Sequence, residues 1–117
     1  MLSGVDDAIM INGVEFGEGV ICKFDDFDLQ TDIPLIEQVD LLKEDLLQVT
    51  YDNNYLIDVG WYPEFDPQGM FGVSVIKDND WNDPVIKKKC KDLNLLFKYL
   101  KEAIGFVSSK RISEADK

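Results

Sequence analysis

Histidine is absent from all 117 residues, so side-chain proton transfer would fall to carboxylates, lysines or a perturbed cysteine. The most suggestive carboxylates are Asp58, Glu64 and Asp66, which surround one expected hairpin and could pair as a glycosidase-type acid and base. Glu64 and Asp66, however, stand in the run PEFDPQG, where Asp, Pro and Gly serve the backbone of a turn. The turn reading is the stronger. No G-x-S-x-G, P-loop or C-x-x-C spacing occurs, and Cys22 and Cys90 lie far apart. The residues therefore weigh against an enzyme, and no catalytic or cofactor-binding residue is assigned.

A second constellation is oxygen-rich. Asp78-Asn79-Asp80-Trp81-Asn82-Asp83 places oxygen ligands at alternate positions, as a calcium loop does. The glycine such a loop needs at its sixth position is Asp83, and its closing glutamate is Lys89. A turn between strands is the better reading, and no metal is expected.

Two sets of residues suit protein binding. Tyr62, Phe65 and Trp81 are aromatic side chains near acids, the composition of a binding hot spot, whereas Trp61 is expected to point into the core. Asp25, Asp26, Asp28, Asp32, Glu37, Asp40, Glu44 and Asp45 form an acidic tract able to pair with Lys and Arg of a partner. Its plainer explanation is a solvated surface. The charge distribution favours a role: residues 1–76 carry 16 acids and 2 bases, net −14, and residues 77–117 carry 7 acids and 10 bases, net +3. Such a field repels nucleic acid and speeds encounter with a basic protein.

These residues need a scaffold, and the pattern supplies one. Hydrophobic content of 45% with 13 aromatic residues is enough to build a core in a chain of this length. AIMINGVEF and GVICKFDDF predict strands, with turns at Asn12-Gly13 and Gly17-Glu18-Gly19. Thr31-Asp32-Ile33-Pro34 signals a helix start, and Leu35, Val39, Leu42 and Leu46 predict an amphipathic helix of about three turns.

Leu47–Tyr51, Tyr55–Tyr62 and Met70–Lys77 then predict an antiparallel meander. With the loop centred on Asp66, facing positions sum to 132, so Trp61 opposes Phe71, Val59 opposes Val73 and Ile57 opposes Val75. Gly60 opposes Gly72 and Asp58 opposes Ser74 on the other face, and a slip by one residue would exchange the faces. VIKKKCK predicts a last strand whose lysines blunt a sheet edge. Asp92 caps a final helix with Leu93, Leu96, Phe97, Leu100, Ile104 and Val107 inward. The expected architecture is α+β: an antiparallel sheet with two helices packed largely on one face. Residues 1–108 would form one domain and 109–117 a polar, frayed tail.

The segment LKEDLLQVTYDNNYLIDVGWYPEFDPQGMFGVSVIKDNDWNDPV resembles small bacterial immunity proteins of polymorphic-toxin and contact-dependent growth inhibition systems. The resemblance rests on Lys43–Val49, Ile57–Pro63, Gly69 with the strand after it, Trp81 and Pro84. It implies a protein that binds and neutralises one toxin domain, commonly a basic nuclease, in a 1:1 complex. It also implies a cytoplasmic location, which fits an N-terminus without a signal-peptide pattern and no apolar run of membrane-spanning length. Cys22 and Cys90 could pair in principle, but without an export signal they read as reduced. Two rivals stay open: an acidic binding module or adaptor unrelated to toxins, and an anti-nuclease mimic of DNA.

Overall fold

A computed structural model describes the backbone of residues 10–11 and 14–115, and the side chains of residues 14–111. A short hairpin, β1 (Met10–Ile11) and β2 (Val14–Glu15), precedes a five-stranded antiparallel meander of β3 (Val20–Asp25), β4 (Leu47–Tyr51), β5 (Tyr55–Tyr62), β6 (Met70–Lys77) and β7 (Ile86–Cys90). The last described element is one helix, α1 (Leu93–Ala115). The fold is α+β, with helical elements alongside one antiparallel sheet. The expected Asn12-Gly13 turn lies outside the described residues.

Alternation dictates the register. Every pair expected from the sum of 132 is present, from Trp61–Phe71 through Val59–Val73 to Ile57–Val75, with Gly60–Gly72 and Asp58–Ser74 between them. The Trp61 and Phe71 rings meet edge-on, centroids 4.8 Å apart. Leu47, Val49 and Tyr51 extend the same buried face onto β4, and Cys90 closes it on β7.

α1 covers that face. Asp92 caps it, its Oδ1 accepting the Leu95 N–H at 2.7 Å. Leu93, Leu96, Leu100, Ala103, Ile104 and Val107 form the buried stripe, while Asn94, Lys98, Lys101 and Gly105 face water. Truncating a side chain as enclosed as Leu96 would cost about 2–5 kcal/mol. The helix continues past Ser108, where the sequence suggests a tail. Arg111 sits on its last turns and pairs with Asp52 of the β4–β5 turn at 2.9 Å, with Glu18 nearby at 3.9 Å.

The segment between β3 and β4 departs from expectation. A three-turn helix is predicted from Pro34, whereas Leu35–Leu41 forms a 3-10 stretch kinked at Gln38, without a side-chain cap from Thr31 or Asp32. The reason is the buried Gln38 amide. Its Oε1 accepts the Gln30 N–H at 2.8 Å, and its Nε2 donates to Gln30 O at 2.9 Å and Ile33 O at 2.8 Å. That clasp satisfies loop backbone instead of a regular helix. Phe27 and Leu29 are buried ahead of it, with Phe27 tilted against Phe97 of α1.

The two thiols are unpaired, Cys22 exposed on β3 and Cys90 buried on β7, the opposite edge strands of the sheet. Among the described residues no helix is long and apolar enough to cross a membrane.

A groove on the open face of the sheet

The residues that alternate with the core point away from α1. On β5 these are Asp58, Gly60 and Tyr62, on β6 Gly72, Ser74 and Ile76, and on β7 Lys87 and Lys89. The connection from β6 to β7 brings Trp81 and Pro84 beside them, and all of these except Gly60 line a groove of about 310 Å³. Asp58, Gly72, Ser74 and Ile76 make its floor. A larger but more open depression of about 650 Å³ on α1, between Asn94, Phe97 and Lys101, contains no buried polar side chain.

Two glycines shape one end. A Cβ on Gly60 would collide with the carbonyl oxygen of Glu44, because residues 43–46 continue the pairing along β5. The Trp61 N–H donates to Lys43 O at 2.8 Å, and the Leu46 N–H donates to Val59 O at 3.0 Å. The same Cβ would stand 2.8 Å from Tyr62 Oη. Tyr62 therefore folds back along its own strand, and its ring approaches within 3.7 Å of the position of a Cβ on Gly72.

The electrostatics follow from this arrangement. Asp58 is 7% exposed. Gln48 donates to its Oδ1 at 3.0 Å, and no other described donor reaches its second oxygen. Burial lifts the Asp58 carboxyl above the usual range, the Gln48 bond opposes that, and Asp45 reinforces it. Tyr62 is pushed up to about 12, chiefly by burial, then by Asp58, Asp45 and Glu44. Tyr62 is 46% exposed as a residue, with its hydroxyl beside Gly60.

The other end is formed by Trp81, 47% exposed. It stands in a turn: Asp78 and Asn79 take left-handed backbone, Asp80 N–H donates to Lys77 O at 3.0 Å, and Asp83 N–H to Asp80 O at 3.3 Å. Among the described residues no three His, Cys, Asp or Glu side chains are placed to hold a metal ion.

The residues marked out for partner binding separate into groups. Tyr62 and Trp81 line the groove, and Glu44 and Asp45 lie close enough to Tyr62 for their charges to act on its hydroxyl. Phe65 does not: it is half exposed in the 63–69 turn, its N–H donating to Leu42 O at 2.7 Å. Asp25 is engaged locally, its Oδ1 accepting the Phe27 N–H at 3.1 Å. Asp26 pairs with Lys43 at 2.7 Å, and the ammonium, also within the field of Asp28 and Glu64, holds its proton more tightly than usual. Asp32 lies beside Phe97 on the helix side, and Glu37 and Asp40 are exposed on the 3-10 stretch. The acidic tract is thus divided: Glu44 and Asp45 act on Tyr62 at the groove, whereas Asp32 lies on the helix side.

The three carboxylates weighed as an acid–base set are likewise parted. Glu64 accepts the Glu44 N–H at 3.2 Å. Asp66 accepts the Gln68 N–H at 2.8 Å, and its carbonyl accepts Trp61 Nε1–H at 2.8 Å. Only Asp58 lines the groove. Its membership in the site, with Ser74, Lys87 and Lys89, is the part that residue types alone do not reveal. The available signal was the register, which places Asp58 opposite Ser74 on the glycine-bearing face. Comparison of the chain with known protein families, curated proteins and solved structures finds no match.

Proposed function

We propose that this chain is an immunity protein: it binds and neutralises a cognate bacterial toxin domain, a basic nuclease, by forming a stoichiometric complex rather than by catalysis. The observation that carries the reading is the open face of the sheet. It offers two half-exposed aromatic side chains, Tyr62 and Trp81, around a buried carboxylate, in a chain of net charge −11. Aromatic anchors at a desolvated centre give affinity, and surrounding acids give orientation and fast encounter with a Lys- and Arg-rich surface. Nucleases need such surfaces to hold phosphates.

The rival reading as a DNA mimic is less well supported, because Lys87 and Lys89 interrupt the acids on the same face. An adaptor unrelated to toxins would share the aromatic anchors but not the dependence on charge.

Co-expression with the C-terminal domain of the protein encoded immediately upstream tests the proposal. Survival of cells that the domain alone kills, with a 1:1 complex on purification, is the expected result. A harmless neighbour that never co-purifies would shift the reading to the adaptor.

A further inference from the structure

Resting on that reading, we infer that the groove between Tyr62 and Trp81 is the receptor for the side chain of a single arginine on the partner, its guanidinium held by Asp58. Four observations converge on it. Asp58 is more than nine-tenths buried, yet only one of its oxygens receives a hydrogen bond, and the groove opens in front of it. The second oxygen is not sealed off: it is open to solvent where Asp58 lines the groove, so an arriving cation would replace water on a carboxylate that the fold otherwise shields. The groove, about 310 Å³, stands at the small end of ligand sites, with room for a side chain rather than a helix. Its lining includes two half-exposed aromatic side chains, Tyr62 and Trp81.

The fourth observation concerns the surrounding charge. At the Tyr62 end, Glu44 and Asp45 add negative potential to that of Asp58. Along β7, Lys87 and Lys89 border the groove and are exposed, with no ion pair to Asp58. A cation is therefore drawn in from the β5 side, while a polybasic run lying along the groove is repelled by the two lysines. An isolated cation fits; a stretch of consecutive cations does not.

Arginine suits the site better than lysine. Its planar guanidinium can present a fork of N–H donors to a carboxylate edge while its face stacks on tyrosine or tryptophan, and it sheds water more readily than an ammonium. The receptor is already shaped for this, because Gly60 leaves the space in which the Tyr62 hydroxyl lies, with the Tyr62 ring beside Gly72.

The test needs no partner. N-acetyl-arginine amide is titrated into the full chain and followed by the two indole N–H resonances in two-dimensional NMR. Trp61 is an internal control, since its Nε1–H is committed to Asp66 O. The expected result is a saturable shift of Trp81 with ~mM affinity, little movement of Trp61, and binding about tenfold weaker in a folded Asp58→Asn variant. N-acetyl-lysine amide should bind more weakly, and the uncharged citrulline analogue should not saturate. An equal response to citrulline, unchanged binding in Asp58→Asn, or a Trp81 shift produced instead by inorganic phosphate on Lys87 and Lys89 would overturn the assignment. Failure of the co-expression experiment would leave this titration standing, and failure of the titration would leave neutralisation by another surface intact.

Discussion

Gln48 of β4 and Asp58 of β5 face each other across the sheet, and the amide donates to one carboxylate oxygen at 3.0 Å. Burial raises the Asp58 pKa above its ordinary 3.8. The native state therefore binds the proton more tightly than the unfolded chain, and between 3.8 and the raised value it holds more protons. Stability attributable to this group is greatest below that window and falls as pH rises through it. Asp58→Asn keeps the acceptor for Gln48 and removes the ionisation. The variant should gain stability relative to the parent chain as pH climbs from about 4 to 7, read by urea denaturation at each pH. A constant difference across that range would show that Asp58 ionises in the fold as it does in water.

The glycine pair separates backbone demand from mere convenience. Gly60→Ala puts a methyl group against the Glu44 carbonyl and should cost about 1–3 kcal/mol, with loss of the Tyr62 orientation. Gly72→Ala meets only the Tyr62 ring at ordinary contact distance, so its effect should stay within about 0.5 kcal/mol. Denaturant midpoints of the two variants provide the comparison.

Gln38 holds three backbone groups of the β3–β4 connection. Gln38→Ala should destabilise by about 1–3 kcal/mol through unsatisfied donors and acceptors. Gln38→Glu should be no better at neutral pH, since a carboxylate cannot donate to Gln30 O and Ile33 O. Hydrogen exchange at the Gln30 amide, which loses its partner in the alanine variant, localises the effect.

How far residue order disclosed this molecule differs from one element to the next. The β5–β6 register could be deduced because alternation has a period of two, and one pairing alone buries Ile57, Val59 and Trp61 together with Phe71, Val73 and Val75. α1 could be deduced from its stripe and from Asp92. The 3-10 stretch could not: Leu35, Val39, Leu42 and Leu46 have helical spacing, and nothing local announces that the Gln38 amide will capture backbone eight residues earlier. The groove lay further out of reach. Its face was visible in the Gly60–Gly72 pairing, but its depth depends on Tyr62 folding back and on residues 43–46 running alongside β5.

The division of the acidic tract makes a kinetic prediction for the proposed complex. Reversing Glu44 and Asp45 to lysine should slow association with the basic toxin domain about tenfold at low salt. The corresponding reversal of Asp32 and Glu37, neither of which acts on Tyr62 at the groove, should slow it less. Raising the salt from about 0.01 M to 1 M, which shortens the screening length from about 30 Å to 3 Å, should erase both differences. Stopped-flow association rates measure this directly, and equal slowing by both pairs would place the docking face elsewhere.

Between positions 58 and 74 of the β5–β6 hairpin, odd-numbered strand residues face α1 and even-numbered ones face the groove. Heritable change in what the proposed interface recognises can therefore accumulate at even positions other than Gly60, where a Cβ would meet the Glu44 carbonyl, while the fold is kept by the odd ones. Insertions and deletions in these strands have no such freedom, because one added residue would transpose the two sets. A lineage descended from this chain should vary by substitution on the open face and keep both strand lengths fixed.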